Sequence, residues 1–134
     1  LPPQRLELEV TESLFLDPSL PTLGQRLGEL ARIGVHLAID DFGTGYSSLA
    51  YINRFPFDRI KIDRSFVHAV GRDQGSQAIV RAIVGLSEAL AKKTTAEGVE
   101  EDCQLAFLES LQCNEAQGFL LGRPAPLSEL KLAA

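Results

Sequence analysis

The chain has 134 residues, 45% of them hydrophobic and 23% charged, with a formal net charge of −5. This is enough for one compact domain with one core, and the acidic balance argues against a general nucleic-acid binder, which carries a basic stripe. No apolar run approaches the ~18 residues of a membrane span, and no basic and then apolar opening reads as a secretory signal. An acidic site can still take a phosphate substrate when divalent cations sit between the two. Cys103 and Cys113 lack a second pair and metal-ligand spacing, so they read as reduced thiols of a cytoplasmic protein. The chain opens Leu1-Pro2-Pro3 and contains no Met, and it is expected to be a processed or excised piece.

Strands and helices alternate along the chain. Leu6 to Thr11 alternates strictly and predicts a strand. Leu20, Leu23, Leu27 and Leu30 predict one face of a helix over 20–33, ended by Gly34. Val35 to Asp40 is a second strand, followed by a Gly-rich turn from Asp41 to Ser48. Arg59 to Asp63 is a short third strand. A long helix over 73–91 follows, with Asp73 as its cap and Ile79, Ile83, Leu86 and Leu90 on one side. Lys93 to Glu97 is a fourth strand, 101–111 a helix, and Ala116 to Leu120 a fifth strand. Pro124 and Pro126 precede a short last helix. No repeat, low-complexity segment or linker interrupts the pattern.

Strands separated by helices predict parallel βα units. Within each strand, period-two alternation puts apolar residues on one face and charged residues on the other. Leu6, Leu8 and Val10 oppose Glu7, Glu9 and Thr11, and Val35, Leu37 and Ile39 oppose His36, Ala38 and Asp40. Ile60 and Ile62 oppose Lys61 and Asp63, and Thr94 and Ala96 oppose Thr95 and Glu97. A doubly wound sheet buries both faces of its central strands. A (β/α) barrel has helices outside only, with its functional residues at the C-terminal strand ends. Glu9, Asp40, Lys61, Asp63 and Glu97 fit the barrel. A surface charge at a strand end would explain any one of them, but not the same arrangement on four strands.

Asp40-Asp41 at a strand end can grip one hard cation or bridge two, and the following glycines allow a tight loop. Two other readings exist for this segment. A dinucleotide loop needs a third glycine that is absent here. A plain turn would have Asp41 or Ser47 capping the next helix. His36 shares the strand parity of Asp40 but reads as a packed or hydrogen-bonded residue, and His68 as exposed helix or loop.

Several segments together resemble the EAL domain family. Glu9-Val10-Thr11-Glu12-Ser13 is similar to its ELTES-like motif, and Asp40 to Leu49 reads DDFGTGYSSL as the family motif does. Phe57 to Asp63 resembles the strand carrying KID, Ala96 to Glu100 reads AEGVE, and Gln117 to Phe119 reads QGF. The resemblance covers essentially the whole chain and implies a (β/α)8 TIM-like barrel, of which residues 1–134 would be an incomplete C-terminal part with about five parallel strands. It implies hydrolysis of cyclic di-GMP to linear pGpG with two Mg²⁺ or Mn²⁺ ions. By this likeness Glu9, Asp40, Asp41, Asp63 and Glu97 are metal ligands. Lys61 sits at the attacking water, and Glu97 is a ligand or general base. Gln117 positions the site. Glu12 holds the loop containing Gly43, Thr44 and Gly45, and Glu100 is a support that could also cap the next helix. A flanking sensory or GGDEF domain is implied as well.

The motifs all belong to the later part of the family pattern. No Glu-Ala-Leu motif and no early-strand Asn is present. The chain alone is therefore expected to be inactive, and the intact parent domain active. A catalytically inactive cyclic di-GMP-binding or protein-interaction module is the alternative. Five strands cannot close an eight-stranded barrel, so a homodimer through the open edge near Leu6 to Val10 is expected.

Overall fold

The computed structural model describes residues 1–16, 22–45 and 49–129. Five parallel strands form one sheet in chain order: β1 (Glu7–Thr11), β2 (His36–Phe42), β3 (Arg59–Ile62), β4 (Lys93–Glu97) and β5 (Glu115–Gln117). The connecting helices are α1 (Leu23–Arg32), α2 (Leu49–Arg54), α3 (Arg64–Ala69), α4 (Gln74–Ala89) and α5 (Asp102–Ser110). Short 3-10 turns occupy Pro3–Arg5, Glu12–Leu16 and Leu127–Glu129. A sheet that follows chain order is the wall of a (β/α) barrel, since a doubly wound sheet reverses its order partway.

The alternation sorts the two faces as the sequence predicts. Val10, Leu37, Ile39, Ile60, Ile62 and Ala96 are buried on the helix side, in one cluster with Leu27, Val67, Val80, Ile83 and Leu108. Burying a side chain such as Ile60 fully contributes about 1.5–3 kcal/mol. The opposite face carries Glu7, Glu9, Asp40, Arg59, Lys61, Glu97 and Gln117, each on its strand's other parity.

Four element boundaries or faces differ from the sequence expectation. α1 begins at Leu23, with Thr22 in the N-cap position but making no side-chain capping bond; Leu20, expected on its apolar face, lies outside the described residues, as does Ser47. β3 stops at Ile62 because Asp63 becomes the N-cap of α3, its Oδ1 accepting from Ser65 N at 2.9 Å. On α4 the buried stripe is Ser76, Val80, Ile83, Val84 and Ser87, while Ile79 is exposed. The helix is thus rotated by about one residue from the expected face. This works because the Ser87 hydroxyl donates to the Ile83 carbonyl at 2.8 Å and enters the core satisfied. β5 is Glu115–Gln117 instead of 116–120. The chain leaves the sheet at Gly118, where any Cβ would sit 2.1 Å from the Val99 carbonyl oxygen. Helices α2 and α3 are not among the elements that periodicity predicts; each has six residues, too few for an apolar period to show.

Candidate active site

Strand ends bring the predicted residues to one end of the polar face. Lys61 is the hub. Its Nζ lies 2.6 Å from Glu9 Oε1, 2.7 Å from Glu97 Oε1 and 3.3 Å from Asp40 Oδ1. The Lys61 side chain is only 7% exposed, whereas Glu9 is half exposed. Burial alone would push the ammonium toward neutrality. The hydrogen bonds to Glu9 and Glu97 and the charge of Asp40 outweigh it, and the pKa rises well above the ordinary lysine value.

Asp41 stands at a break in the sheet. The β2–β3 register shifts between Ile39 and Phe42, and Asp41 adopts φ 53°. This irregularity turns two successive carboxylates toward the same end, where a regular strand would send them to opposite faces. The turn is closed by Thr44, whose hydroxyl donates to the Asp41 carbonyl at 2.8 Å. One oxygen from each of Asp40, Asp41 and Glu97 lies within 4.8 Å of the others. The Asp41 carboxyl is held above the usual carboxylate range, first by desolvation, then by the like charges of Asp40 and Asp63 and a hydrogen bond to Asp63. Crowded carboxylates that resist ionising together are the donor set a hard divalent cation favours, so these residues fit the implied metal.

The supporting residues divide. Glu12 is buried, not exposed, and its carboxylate lies 3.6 Å from where a Cβ on Gly45 would stand. It therefore stands next to Gly45 of the loop that the sequence assigns it to hold. Gln117 pairs in register with Glu97. Asp63 is near Asp41, but desolvation, which would raise its pKa, is outweighed by the Ser65 hydrogen bonds, so it is held below the ordinary range. Glu100 does not cap α5. The N-cap of α5 is Glu101, in a capping box with Gln104, whose Oε1 accepts from the N–H groups of Glu100 at 2.8 Å and Glu101 at 3.0 Å. The Glu100 carboxylate instead faces exposed His68 on α3 at 3.6 Å. His36 is half exposed and pairs with Asp58 at 3.3 Å, away from the cluster. Cys103 and Cys113 are free thiols.

A cleft of about 240 Å³ opens beside Glu97, between Arg64 and His68 on one side and Gln117, Gly118 and Phe119 on the other. Clefts of about 330 and 440 Å³ lie around Lys92, at the opposite strand ends, and the acidic cluster lines neither. Arg64 was not singled out from the sequence, His68 was read there only as exposed helix or loop, and Phe119 entered only as the end of the QGF segment. Arg64 and His68 face the Glu97 turn because Gly98, at φ 73°, leaves no room for a side chain: a Cβ there would lie 2.6 Å from Arg64 Cβ. Arg59 was missed too. It follows the same parity as Lys61, two residues earlier, and that offset was the available signal.

The family model of the EAL domain matches residues 1–124. The bifunctional diguanylate cyclase/cyclic di-GMP phosphodiesterase MucR of Pseudomonas aeruginosa is 50% identical over 133 residues, which is 97% of this chain and 19% of that protein. The solved MucR phosphodiesterase in complex with c-di-GMP superposes with a TM-score of 0.89 at 49% identity, covering 96% of this chain and 52% of that one. A manganese and cyclic di-GMP complex of BlrP1 from Klebsiella pneumoniae superposes with a TM-score of 0.84 at 38% identity, covering 92% of this chain and 31% of that one. The chain thus spans about half of one solved domain and under a fifth of its curated relative's length.

Proposed function

This chain belongs to the EAL domain family, and on that premise we propose that its polar sheet face is part of an active site that hydrolyses cyclic di-GMP to linear pGpG. The observation that carries the reading is the convergence of Glu9, Asp40 and Glu97 on one buried ammonium, with Asp41 beside them. Glu9, Asp40, Asp41, Asp63 and Glu97 would hold divalent ions, Mg²⁺ or Mn²⁺. The chemistry such ions supply when bound is activation of a water and neutralisation of charge on the phosphodiester.

The protein's own residues do the rest. Lys61, charged throughout the neutral range, offers its ammonium to the oxygen on which negative charge develops. Glu97, held at 2.7 Å from Lys61, takes a proton or a ligating role at the same point. Gln117, in register with Glu97, orients the substrate beside the cleft. Glu12, Gly43, Thr44 and Gly45 keep the Asp41 turn in place, and Glu100 lies at the far wall of the cleft.

The reading assigns activity to the intact domain, in which preceding strands adjoin β1. Among the described residues β1 pairs only with β2, and Leu6 just before it is exposed. An isolated copy of this chain is therefore assigned a homodimer through that edge, to be read by light scattering. The deciding experiment measures cyclic di-GMP hydrolysis with Mg²⁺ or Mn²⁺ by the full-length protein and by residues 1–134. The full-length protein should turn over and the short chain should not. A full-length protein that binds cyclic di-GMP without cleaving it would replace this reading with a sensor.

A further inference from the structure

Beneath the acidic cluster lies a second layer of charge that the proposed chemistry does not use. Glu7, Arg59 and Glu115 stand two residues before Glu9, Lys61 and Gln117 on β1, β3 and β5. Positions i and i+2 share a face about 6.6 Å apart, so the lower layer repeats the upper one a step down the strands. Arg59 Nε donates to Glu7 Oε2 at 2.9 Å. Its Nη1 donates to Thr95 Oγ1 at 2.6 Å and, in a tighter contact, to Glu115 Oε2. The side chain is 15% exposed. One guanidinium therefore joins four strands. β1 and β5 each lie two strands from β3, roughly 10 Å away across the sheet.

We infer that Arg59 is a positioning residue for the proposed reaction, a brace from β3 to the outer strands that sets where Glu9 and Gln117 stand relative to Lys61 and Glu97. The inference rests on the function proposed above. Backbone ladders fix the register of β1 against β2 and of β5 against β4, but they leave the strands free to tilt across the polar face. β5 has only three residues to resist that tilt. A lysine cannot replace Arg59. Its ammonium is a point charge on a flexible stem, whereas the guanidinium donates from Nε and Nη1 in different fixed directions at once.

The test uses the full-length protein, with Mn²⁺ binding read by titration calorimetry beside kcat and KM for cyclic di-GMP. Arg59→Lys keeps the charge and removes the fork. It should weaken Mn²⁺ binding by about tenfold or more, as loss of a residue supporting a ligand does, and lower kcat more than it raises KM, with partial recovery at high Mn²⁺. Arg59→Met should weaken Mn²⁺ binding as well. A purely electrostatic role gives the opposite sign, because removing a cation beneath an acidic cluster tightens cation binding. Wild-type Mn²⁺ affinity in Arg59→Lys, or tighter binding in Arg59→Met, would overturn the brace. If neither variant folds, Glu7→Gln, which keeps shape and removes one arm, is read in the same way: weaker Mn²⁺ binding supports the brace and unchanged binding overturns it. A wild-type protein that neither binds Mn²⁺ nor hydrolyses cyclic di-GMP would instead sink the proposed function, and this inference with it.

Discussion

Lys61 Nζ stands 2.7 Å from Glu97 Oε1, across the ladder that pairs β3 with β4. The contact fixes the charge state of the lysine. Although burial disfavours the ammonium, Glu9 and Glu97 hydrogen-bond it and the charge of Asp40 adds to the pull. A lysine whose pKa lies above the ordinary value cannot serve as a general base near neutrality. Its contribution is a fixed positive charge.

Lys61→Met tests that role. Turnover of cyclic di-GMP by the full-length protein should fall about a hundredfold or more, the loss typical of one charge-stabilising donor. Mn²⁺ affinity, read by calorimetry, should hold or improve, since Glu9, Asp40 and Glu97 lose the cation they now share. Loss of metal binding in a folded variant would assign Lys61 a structural role instead.

Glu97→Gln separates chemistry from binding. The substitution keeps size and removes the charge needed for ligation or proton transfer. Hydrolysis should be abolished while cyclic di-GMP binding weakens far less. An unchanged kcat would reduce Glu97 to a strand-end charge.

Asp41 links the site to pH. Its folded pKa is raised, first by desolvation and then by Asp40 and Asp63. Between its ordinary value of 3.8 and that raised value the folded metal-free protein holds more protons than the unfolded chain. Stability from this group is therefore present below 3.8 and is lost as pH rises through the raised pKa. Asp41→Asn should raise the melting temperature of the EDTA-treated protein at neutral pH and leave it nearly unchanged below that window. With Mn²⁺ the order should reverse, because the variant lacks a ligand. Equal melting temperatures in EDTA at neutral pH would show that the carboxylates are not in conflict.

The alternation in each strand made the polar face legible, since a two-residue period maps directly onto a side of the sheet. Lys61, Asp40, Glu9 and Glu97 meet for that reason. What was not legible depends on irregular backbone or on distance in the chain. Adjacency put Asp41 beside Asp40 in the sequence, but the register shift that turns both carboxylates toward one end was not visible there. Asp63 looked like a strand residue because nothing local distinguishes a last strand position from an N-cap. Arg59 meets Glu7 and Glu115 across separations of 52 and 56 residues. Glu100 was paired with the cap of α5 by proximity, whereas Gln104 had the reach.

Helix ends give the last prediction. α1, α4 and α5 all close with the same hydrogen-bond pair. Gly34 N and Val35 N donate to the carbonyls of Ala31 and Leu30, Ala91 N and Lys92 N to those of Glu88 and Ser87, and Gln112 N and Cys113 N to those of Glu109 and Leu108. This is the Schellman arrangement, which requires the first residue past the cap to be left-handed. The residues there have φ 98° at Gly34, 53° at Ala91 and 58° at Gln112. Only the first is a glycine, so only α1 had a visible stop signal. A residue with a Cβ costs roughly 1–2 kcal/mol in this conformation. A glycine gives back about 0.4–1 kcal/mol through the greater freedom of the unfolded chain. Ala91→Gly should therefore stabilise the domain by roughly 0.5–1 kcal/mol, seen as a higher urea midpoint at constant slope. Gly34→Ala should lose more than that gain, because its Cβ would also stand 2.6 Å from Gln4 Nε2. A lower midpoint for Ala91→Gly would show that the methyl group of Ala91 makes contacts worth more than the left-handed backbone costs.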